Sequence, residues 1–242
     1  MPSQKLRHPN LTLAIITLSY LMLVIDLSVA VTALPVIKAD LGFSTAALSW
    51  IQNAYTLAFG GLLLLGARVG DLLGRRRMFV WGLAFFMGAS LLVGLSNSAE
   101  LLICGRILQG LGAAVLAPST LALLSTSFPE QPARGRALAI YGSITGIGTT
   151  LGLVLGGWIA EAFDWRWAFF ANVPLGIALI VGATFLFQET PRLRARLDIW
   201  GAITSTVGMT AVVFALIYAA EFGWNDALAF TCILTGVGFL LI

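Results

Sequence analysis

Two charged residues lie inside otherwise apolar stretches of this 242-residue chain, Asp26 and Arg106. One such charge costs about 2.5–3.5 kcal/mol at the centre of a membrane helix, so we expect both side chains to point inward, toward each other or a wet interior. A carboxylate in such a place can take up or release a proton as water or substrate approaches, which is the chemistry of a proton-coupling site. Two alternatives remain open: a static polar clasp between helices, and an Arg106 side chain that snorkels to an interface.

A second segment that could carry function covers residues 66–77, where glycines recur every four residues beside an acid and four arginines. Glycines at this spacing allow close helix approach and a tight turn. Asp71 can accept from Arg75 or lie at the N-terminus of another helix. We expect a conformational latch, made of Gly66, Gly70, Asp71, Gly74, Arg75 and Arg76. The alternative is a basic loop that only sets membrane topology.

Glycines also recur farther along the chain, at intervals of mostly four: Gly142, Gly146, Gly148, Gly152, Gly156 and Gly157. Such a stripe lets two helices pack closely. The stripe could serve packing alone. Alternatively, it could let two helices slide and seal against ion leakage during a conformational change. The sequence leaves both alternatives open.

The elements that position these residues must be membrane-spanning helices. The chain is 59% hydrophobic and only 10% charged, and its mean hydropathy is +0.94, so lipid must surround most of it. One helical crossing needs about 20 apolar residues, and eight stretches qualify: 11–35, 48–67, 78–95, 101–124, 137–160, 167–187, 199–220 and 227–242. We predict an all-α polytopic membrane protein, which excludes soluble enzymes, nucleic-acid-binding proteins and secreted disulfide scaffolds.

The positions of Lys and Arg predict the orientation of these helices. The connections on one side hold only Lys38 and Arg166, whereas the N-terminal tail and the alternate loops hold Lys5, Arg7, Arg68, Arg75, Arg76, Arg77, Arg134, Arg136, Arg192, Arg194 and Arg196. Basic residues concentrate on the cytoplasmic side, so we expect a cytoplasmic N-terminus in a plasma (inner) membrane and need no nucleic-acid partner to explain the charge. Because the eighth stretch is still apolar at Ile242, we expect a truncated chain that ends within a helix.

Nucleotide-driven transport and hydrolysis both lack the residues they need. A phosphate-binding loop of the type Gly-x-x-x-x-Gly-Lys requires a lysine after glycine, but Lys5 and Lys38 follow Gln4 and Ile37. His8 is the single histidine, and no Gly-x-Ser-x-Gly turn occurs. We predict no enzymatic activity, no cofactor and no metal site.

Five motifs along the chain fit one pattern. They are Asp26-Leu27-Ser28 with Ala33-Leu34-Pro35; the segment 66–77; Arg106-Ile107-Leu108-Gln109-Gly110; the segment 152–157, with Leu153 where a proline is usual; and Asp164-Trp165-Arg166-Trp167 with Asn172-Val173-Pro174, followed by Leu197-Asp198 and Gly201. Together they resemble the motifs of the major facilitator superfamily, in particular of its fourteen-helix drug:proton antiporters.

The resemblance implies an architecture of two six-helix bundles, each built from inverted three-helix repeats. Residues 1–190 would form the N-terminal bundle. Residues 191–242 would be a cytoplasmic linker and two additional transmembrane helices, the second incomplete. The C-terminal bundle of the same polypeptide would then be a missing partner.

The resemblance also implies a function, the proton-coupled efflux of amphipathic organic solutes or drugs across the lipid bilayer. A proton taken up at Asp26 would weaken its pairing with Arg106. Arg106, Gln109 and Gly110 would form the fourth-helix motif. Gly152, Gly156 and Gly157 would form the antiporter-motif helix. The implied substrate cavity is lined by Gln52, Asn53, Tyr55 and Gln109. Competing hypotheses are a uniporter or symporter, and an inactive fragment or non-transporting sensor or scaffold.

Overall fold

A computed structural model describes residues 8–187, 189, 199–224 and 226–241. Throughout these residues the regular structure is α-helical, which confirms the predicted all-α class. The helices are α1 (Pro9–Leu41), α2 (Thr45–Leu48), α3 (Trp50–Leu73), α4 (Arg75–Gly94), α5 (Ala99–Ser127), α6 (Gln131–Ala162), α7 (Arg166–Phe170), α8 (Asn172–Leu186), α9 (Ile199–Phe222) and α10 (Ala227–Leu240).

Seven helical stretches among the described residues are long and apolar enough to cross a membrane. Six of them are α1, α3, α4, α5, α6 and α9, and the seventh combines α7 with α8. The last predicted stretch forms α10, an apolar helix of 14 residues that is shorter than the about 20 needed for a full crossing. The chain is therefore a multi-pass membrane protein.

Two helices that contain a proline differ from the predicted stretches. α1 continues through Pro35 and ends at Leu41, before Gly42 with φ +67°; packed neighbours in a membrane protein tolerate such an internal proline. The sixth span is divided between α7 and α8 at Ala171. Pro174 has no amide hydrogen for the carbonyl of Phe170, so the helical hydrogen bonding is interrupted here.

Helix packing follows the symmetry expected of two three-helix repeats. In such repeats α1 corresponds to α5, and α3 corresponds to α6. α3 packs along α5 and α1 packs along α6, so the two contacts are equivalent. α5 also packs on α4, and α8 touches both α1 and α4. The predicted boundary between the bundle and the linker, at residues 190 and 191, lies outside the described residues.

The two additional helices form a pair beside the bundle. α9 packs on α3 and on α10. The contact with α3 is close, since a Cβ at Gly61 would collide with Thr210. α9 and α10 also approach closely, and a Cβ at either Gly208 or Gly236 would lie 2.8 Å from the carbonyl oxygen of the other.

Basic residues divide between the two ends of the bundle. Arg68 lies near the end of α3, and the arginines of the α3–α4 turn and the start of α6 share that end, which we call the Gly74 end. At the opposite end the Arg166 guanidinium binds Asp40 at 2.8 Å and donates to the carbonyl of Ser96 at 2.9 Å. This contact ties α7 to the ends of α1 and α4. Lys5, Arg7, Arg192, Arg194 and Arg196 lie outside the described residues.

Candidate functional site

The two charges that the sequence singled out meet inside the bundle. Nη1 of Arg106, from α5, lies 2.7 Å from Oδ2 of Asp26, from α1, and both side chains are 0% exposed. Neither side chain faces lipid, and Arg106 does not reach an interface. The sequence had left the choice between a wet interior and mutual contact open, and the structure shows mutual contact.

The Asp26 carboxylate receives three hydrogen bonds from side chains. In addition to Arg106 on Oδ2, its Oδ1 accepts from Nε2 of Gln109 at 2.9 Å and from Nδ2 of Asn172 at 2.8 Å. Donors of this kind stabilise the anionic form of a buried carboxylate. The acid is therefore held by α5 and α8 together.

The Arg106 guanidinium is equally well bonded. Its Nε donates to the carbonyl of Ile51 at 3.1 Å, and its Nη2 donates to Oε1 of Gln52 at 3.0 Å. Nη1 also donates to Oε1 of Gln109 at 2.8 Å. The ring of Tyr55 lies 4.4 Å from the guanidinium carbon, within the range of a cation–π contact. α3 thus supplies three of the groups around the cation.

Ser90, from α4, joins the two amide side chains beneath the acid. Its hydroxyl accepts from Gln109 at 2.8 Å and from Asn172 at 3.3 Å, and donates to the carbonyl of Phe86 at 2.9 Å. The polar cluster formed by Asp26, Gln52, Tyr55, Ser90, Arg106, Gln109 and Asn172 therefore draws on five helices. Sequence reasoning did not include Ser90 or Asn172 among the site residues, although Asn172 was part of a quoted motif.

The polar cluster lies between two apolar layers. On α1, Asp26 stands between Leu23 of one hydrophobic cluster and Ala30 of the other. On α4, Ser90 likewise stands between Phe86 and Val93. These layers keep the charges away from both ends of the bundle, so their interaction is stronger than it would be in water.

In this arrangement the contact between α1 and α5 depends on the charge of Asp26. Removing one partner of a buried pair leaves an uncompensated charge, which is strongly unfavourable. Protonation of Asp26 would cancel the anion while Arg106 kept its bonds to Ile51 and Gln52. The strength of the α1–α5 contact can therefore depend on one proton.

The residues implied to line a substrate cavity occupy different positions around this cluster. Gln109 is 0% and Tyr55 is 1% exposed, and both are enclosed by protein. Gln52 is partly buried and also donates from Nε2 to the carbonyl of Leu27 at 3.1 Å. Asn53 is partly buried and lies beside the cluster without taking part in its described hydrogen bonds. Gly110 brings α5 against α3, because a Cβ there would lie 2.6 Å from the carbonyl oxygen of Tyr55.

The residues of the expected latch gather at the Gly74 end. Asp71, near the end of α3, pairs with Arg75, the first residue of α4, at 2.8 Å, and Arg76 donates to the carbonyl of Thr184 on α8 at 2.7 Å. Gly74 has φ +105°, which an L side chain rarely adopts, and it separates α3 from α4. Gly66 lies so close to α5 that a Cβ would collide with the carbonyl of Ala114.

A cavity of about 320 Å³ opens between α3 and α5 beside this pair. Gly70, Asp71 and Arg75 line one side of it, and Ser119 and Ser125 lie on the other. Nearby, Nε of Arg77 lies 3.4 Å from Oε2 of Glu189. The expected latch therefore borders a partly polar hollow and is not packed shut.

The glycines of the antiporter-like motif have two environments. Gly152 and Gly156 face α1, where added Cβ atoms would collide with Ser28 and Thr32 respectively. Gly157 has nothing within 4 Å of an added Cβ, and the same holds for Gly142 and Gly146. One face of α6 is thus closely packed on α1, and another is open.

Comparison with known proteins identifies relatives of this chain. The family model described as Major Facilitator Superfamily matches residues 16–242. The puromycin resistance protein pur8 of Streptomyces alboniger is 42% identical over 226 residues, which cover 93% of this chain and 45% of that protein. The cephamycin export protein CmcT of Amycolatopsis lactamdurans is 43% identical over 212 residues, covering 86% and 44%. This chain thus spans less than half of the length of these relatives.

A solved structure agrees with the fold. The human organic anion transporter MFSD10 (TETRAN) matches with a TM-score of 0.65 at 15% identity, over 92% of this chain and 59% of that one. At this identity the likeness concerns the fold alone.

Proposed function

Because the chain belongs to the Major Facilitator Superfamily, a family of transporters and not of enzymes, we propose that the complete protein exports small amphipathic organic compounds in exchange for protons. The observation that carries this proposal is the fully buried ion pair between Asp26 and Arg106. A buried ion pair is weak evidence for stability, because well-packed apolar residues often do as well. Its presence in the middle of a membrane bundle therefore favours a functional role.

The coupling step moves one proton at Asp26. In the deprotonated state the carboxylate is held by Arg106, Gln109 and Asn172. When a proton binds, the carboxylate loses its charge and its attraction to Arg106 weakens, so the contact between α1 and α5 loosens. When the proton leaves on the other side of the membrane, the pair forms again. The proton gradient supplies about 1.4 kcal/mol per pH unit, and the membrane potential about 2.3 kcal/mol per 100 mV.

The substrate class is proposed from the relatives and from the chemistry of the site. One relative is a puromycin resistance protein, and another is a cephamycin export protein. Gln52, Asn53, Tyr55 and Gln109 offer amide groups and an aromatic face, which suit loosely specified amphipathic molecules. In our proposal these side chains become accessible to substrate when the polar cluster loosens.

Location and gating complete the proposal. We place the Gly74 end at the cytoplasmic face of the plasma membrane, with a cytoplasmic N-terminus, because Arg68, Arg75 and Arg76 lie at that end. The residues around Asp71 would act there as the latch of one conformation. Residues 1–190 would move as the first bundle, against a C-terminal bundle of the same polypeptide.

Export of ethidium from proteoliposomes that contain the complete gene product tests the proton role. An imposed pH gradient should drive export by the unmodified protein, and Asp26→Asn should abolish this dependence while the protein remains inserted. Glu161→Gln, an exposed acid near the end of α6, serves as the matched control and should export normally. Undiminished gradient-driven export by Asp26→Asn would refute the proton role. Absence of export by the unmodified protein would favour the sensor or scaffold instead.

A further inference from the structure

Asn172 lies at the first position of α8, directly after the break in the sixth span. Its side chain is only 5% exposed, and its Nδ2 donates to Oδ1 of Asp26 at 2.8 Å. Gln109 donates to the same oxygen at 2.9 Å. Two neutral amides thus converge on the carboxylate oxygen that Arg106 does not bind.

Ser90 fixes the orientation of both amides. The Ser90 hydroxyl hydrogen is engaged by the carbonyl of Phe86, so its lone pairs are directed at Nε2 of Gln109 and Nδ2 of Asn172. Each amide therefore gives one hydrogen to Asp26 and the other to Ser90. Gln109 is further fixed in this orientation because its Oε1 accepts from Arg106. An amide rotated by half a turn would instead present an oxygen to the carboxylate and repel it.

From this geometry we propose that Asn172 and Ser90 are positioning residues that set the pH at which Asp26 exchanges its proton. The inference rests on the proposed function, in which that exchange drives export. Asn172 acts by donating to the anionic carboxylate, which favours its deprotonated form. Ser90 does not touch Asp26 and acts through the two amides.

The packing of α8 gives Asn172 this position. α8 contacts both α1 and α4, the helices that carry Asp26 and Ser90, and the Asn172 side chain reaches both residues. α8 thereby carries a donor to the acid.

Few other groups near Asp26 can ionise. α5 contributes Arg106, and α3 contributes the phenol of Tyr55, which interacts electrostatically with Asp26. From α4 and α8 the side chains that reach the cluster are Ser90 and Asn172, which do not titrate. α6, which packs along α1, contributes Tyr141, whose ring stacks on Tyr20 of α1. Because phenols remain nearby, the pH response of Asn172 or Ser90 variants is assigned to Asp26 by comparison with Asp26→Asn.

The test measures the protonation of Asp26 directly. The complete gene product in lipid nanodiscs is titrated, and the infrared band of the protonated carboxyl is isolated by subtracting the spectrum of Asp26→Asn at each pH. One hydrogen bond to a charged group corresponds to about one to two pH units, so Asn172→Leu should move the midpoint upward by that amount. Ser90→Ala should move it in the same direction by less. Asn97→Leu, an exposed amide between α4 and α5, should leave it unchanged.

Each outcome bears on the inference. A folded Asn172→Leu protein whose midpoint stays within about 0.2 pH unit of the unmodified one overturns it. If Asn172→Leu fails to insert, the Ser90→Ala midpoint decides, and an unmoved value overturns the inference. Ethidium export by the same preparations separates the two proposals. A shifted midpoint without export in any preparation refutes the proposed function alone, and gradient-driven export with unmoved midpoints refutes only the role of Asn172 and Ser90.

Discussion

Replacement of Arg106 by methionine should destabilise the protein more than any other single change in the polar cluster. Methionine has a similar length but no charge and no donor. The substitution removes the 2.7 Å contact with Asp26, the bonds to Gln52 and Gln109, and the bond to the carbonyl of Ile51. Oδ2 of Asp26 then keeps no described donor, while its side chain stays 0% exposed.

The magnitude follows from this geometry. Removing one partner of a buried pair costs about 3–5 kcal/mol because the other charge is left uncompensated. Asp26→Asn removes that charge and keeps the size of the side chain. The free energy of unfolding of the double variant Asp26→Asn/Arg106→Met should therefore be at least about 2 kcal/mol higher than that of Arg106→Met, although the double variant carries one more substitution.

Unfolding of the complete gene product by denaturing detergent, followed by far-ultraviolet circular dichroism, gives the four free energies of this double-mutant cycle. The decisive result is the sign of the change when Asp26→Asn is added to Arg106→Met, because a substitution that only removed contacts would lower stability further. If the effects of the two single variants add within about 0.5 kcal/mol, the two charges are not coupled and the reasoning from burial fails.

Two further predictions concern the Gly74 end. Gly66→Val should lower the free energy of unfolding by about 1–3 kcal/mol, because its side chain would meet the backbone of Ala114, whereas Gly88→Val, with open space around it, should be tolerated in the same detergent titration. Asp71→Asn should change stability by less than about 0.5 kcal/mol, as expected for a partly exposed ion pair, but should slow ethidium export from proteoliposomes. Export at the unmodified rate would remove the latch role of Asp71.

The sequence predicted that Asp26 and Arg106 point inward, because burial of an isolated charge in lipid is so costly, but it left open whether they meet each other or a wet interior. Long apolar stretches indicated the helical class, and the charged motifs indicated the family. Ser90 was missed because a serine within an apolar run can satisfy its hydroxyl on its own helix, and Ser90 does donate to Phe86. Nothing in the sequence around Ser90 indicates that its hydroxyl also accepts hydrogen bonds from Gln109 and Asn172.

Asn172 was missed for a different reason. With the sixth span placed at 167–187, residue 172 falls within its first two turns, near the expected membrane surface. The packing of α8 on α1 places Asn172 within hydrogen-bond distance of Asp26 instead. This packing is tertiary, and no local sequence pattern encodes it.

Because α9 packs on α3, the α9–α10 pair should move together with the first bundle. A tilt of α3 carries Thr210 and Val213 with it, since they rest directly against Gly61 and Gly60. A spectroscopic label at Cys232 on α10 would then report the orientation of this half from a distance, without disturbing the charges. Paired with a second label at the exposed Cys104 on α5, it gives a distance that should stay constant when the first bundle moves as one body.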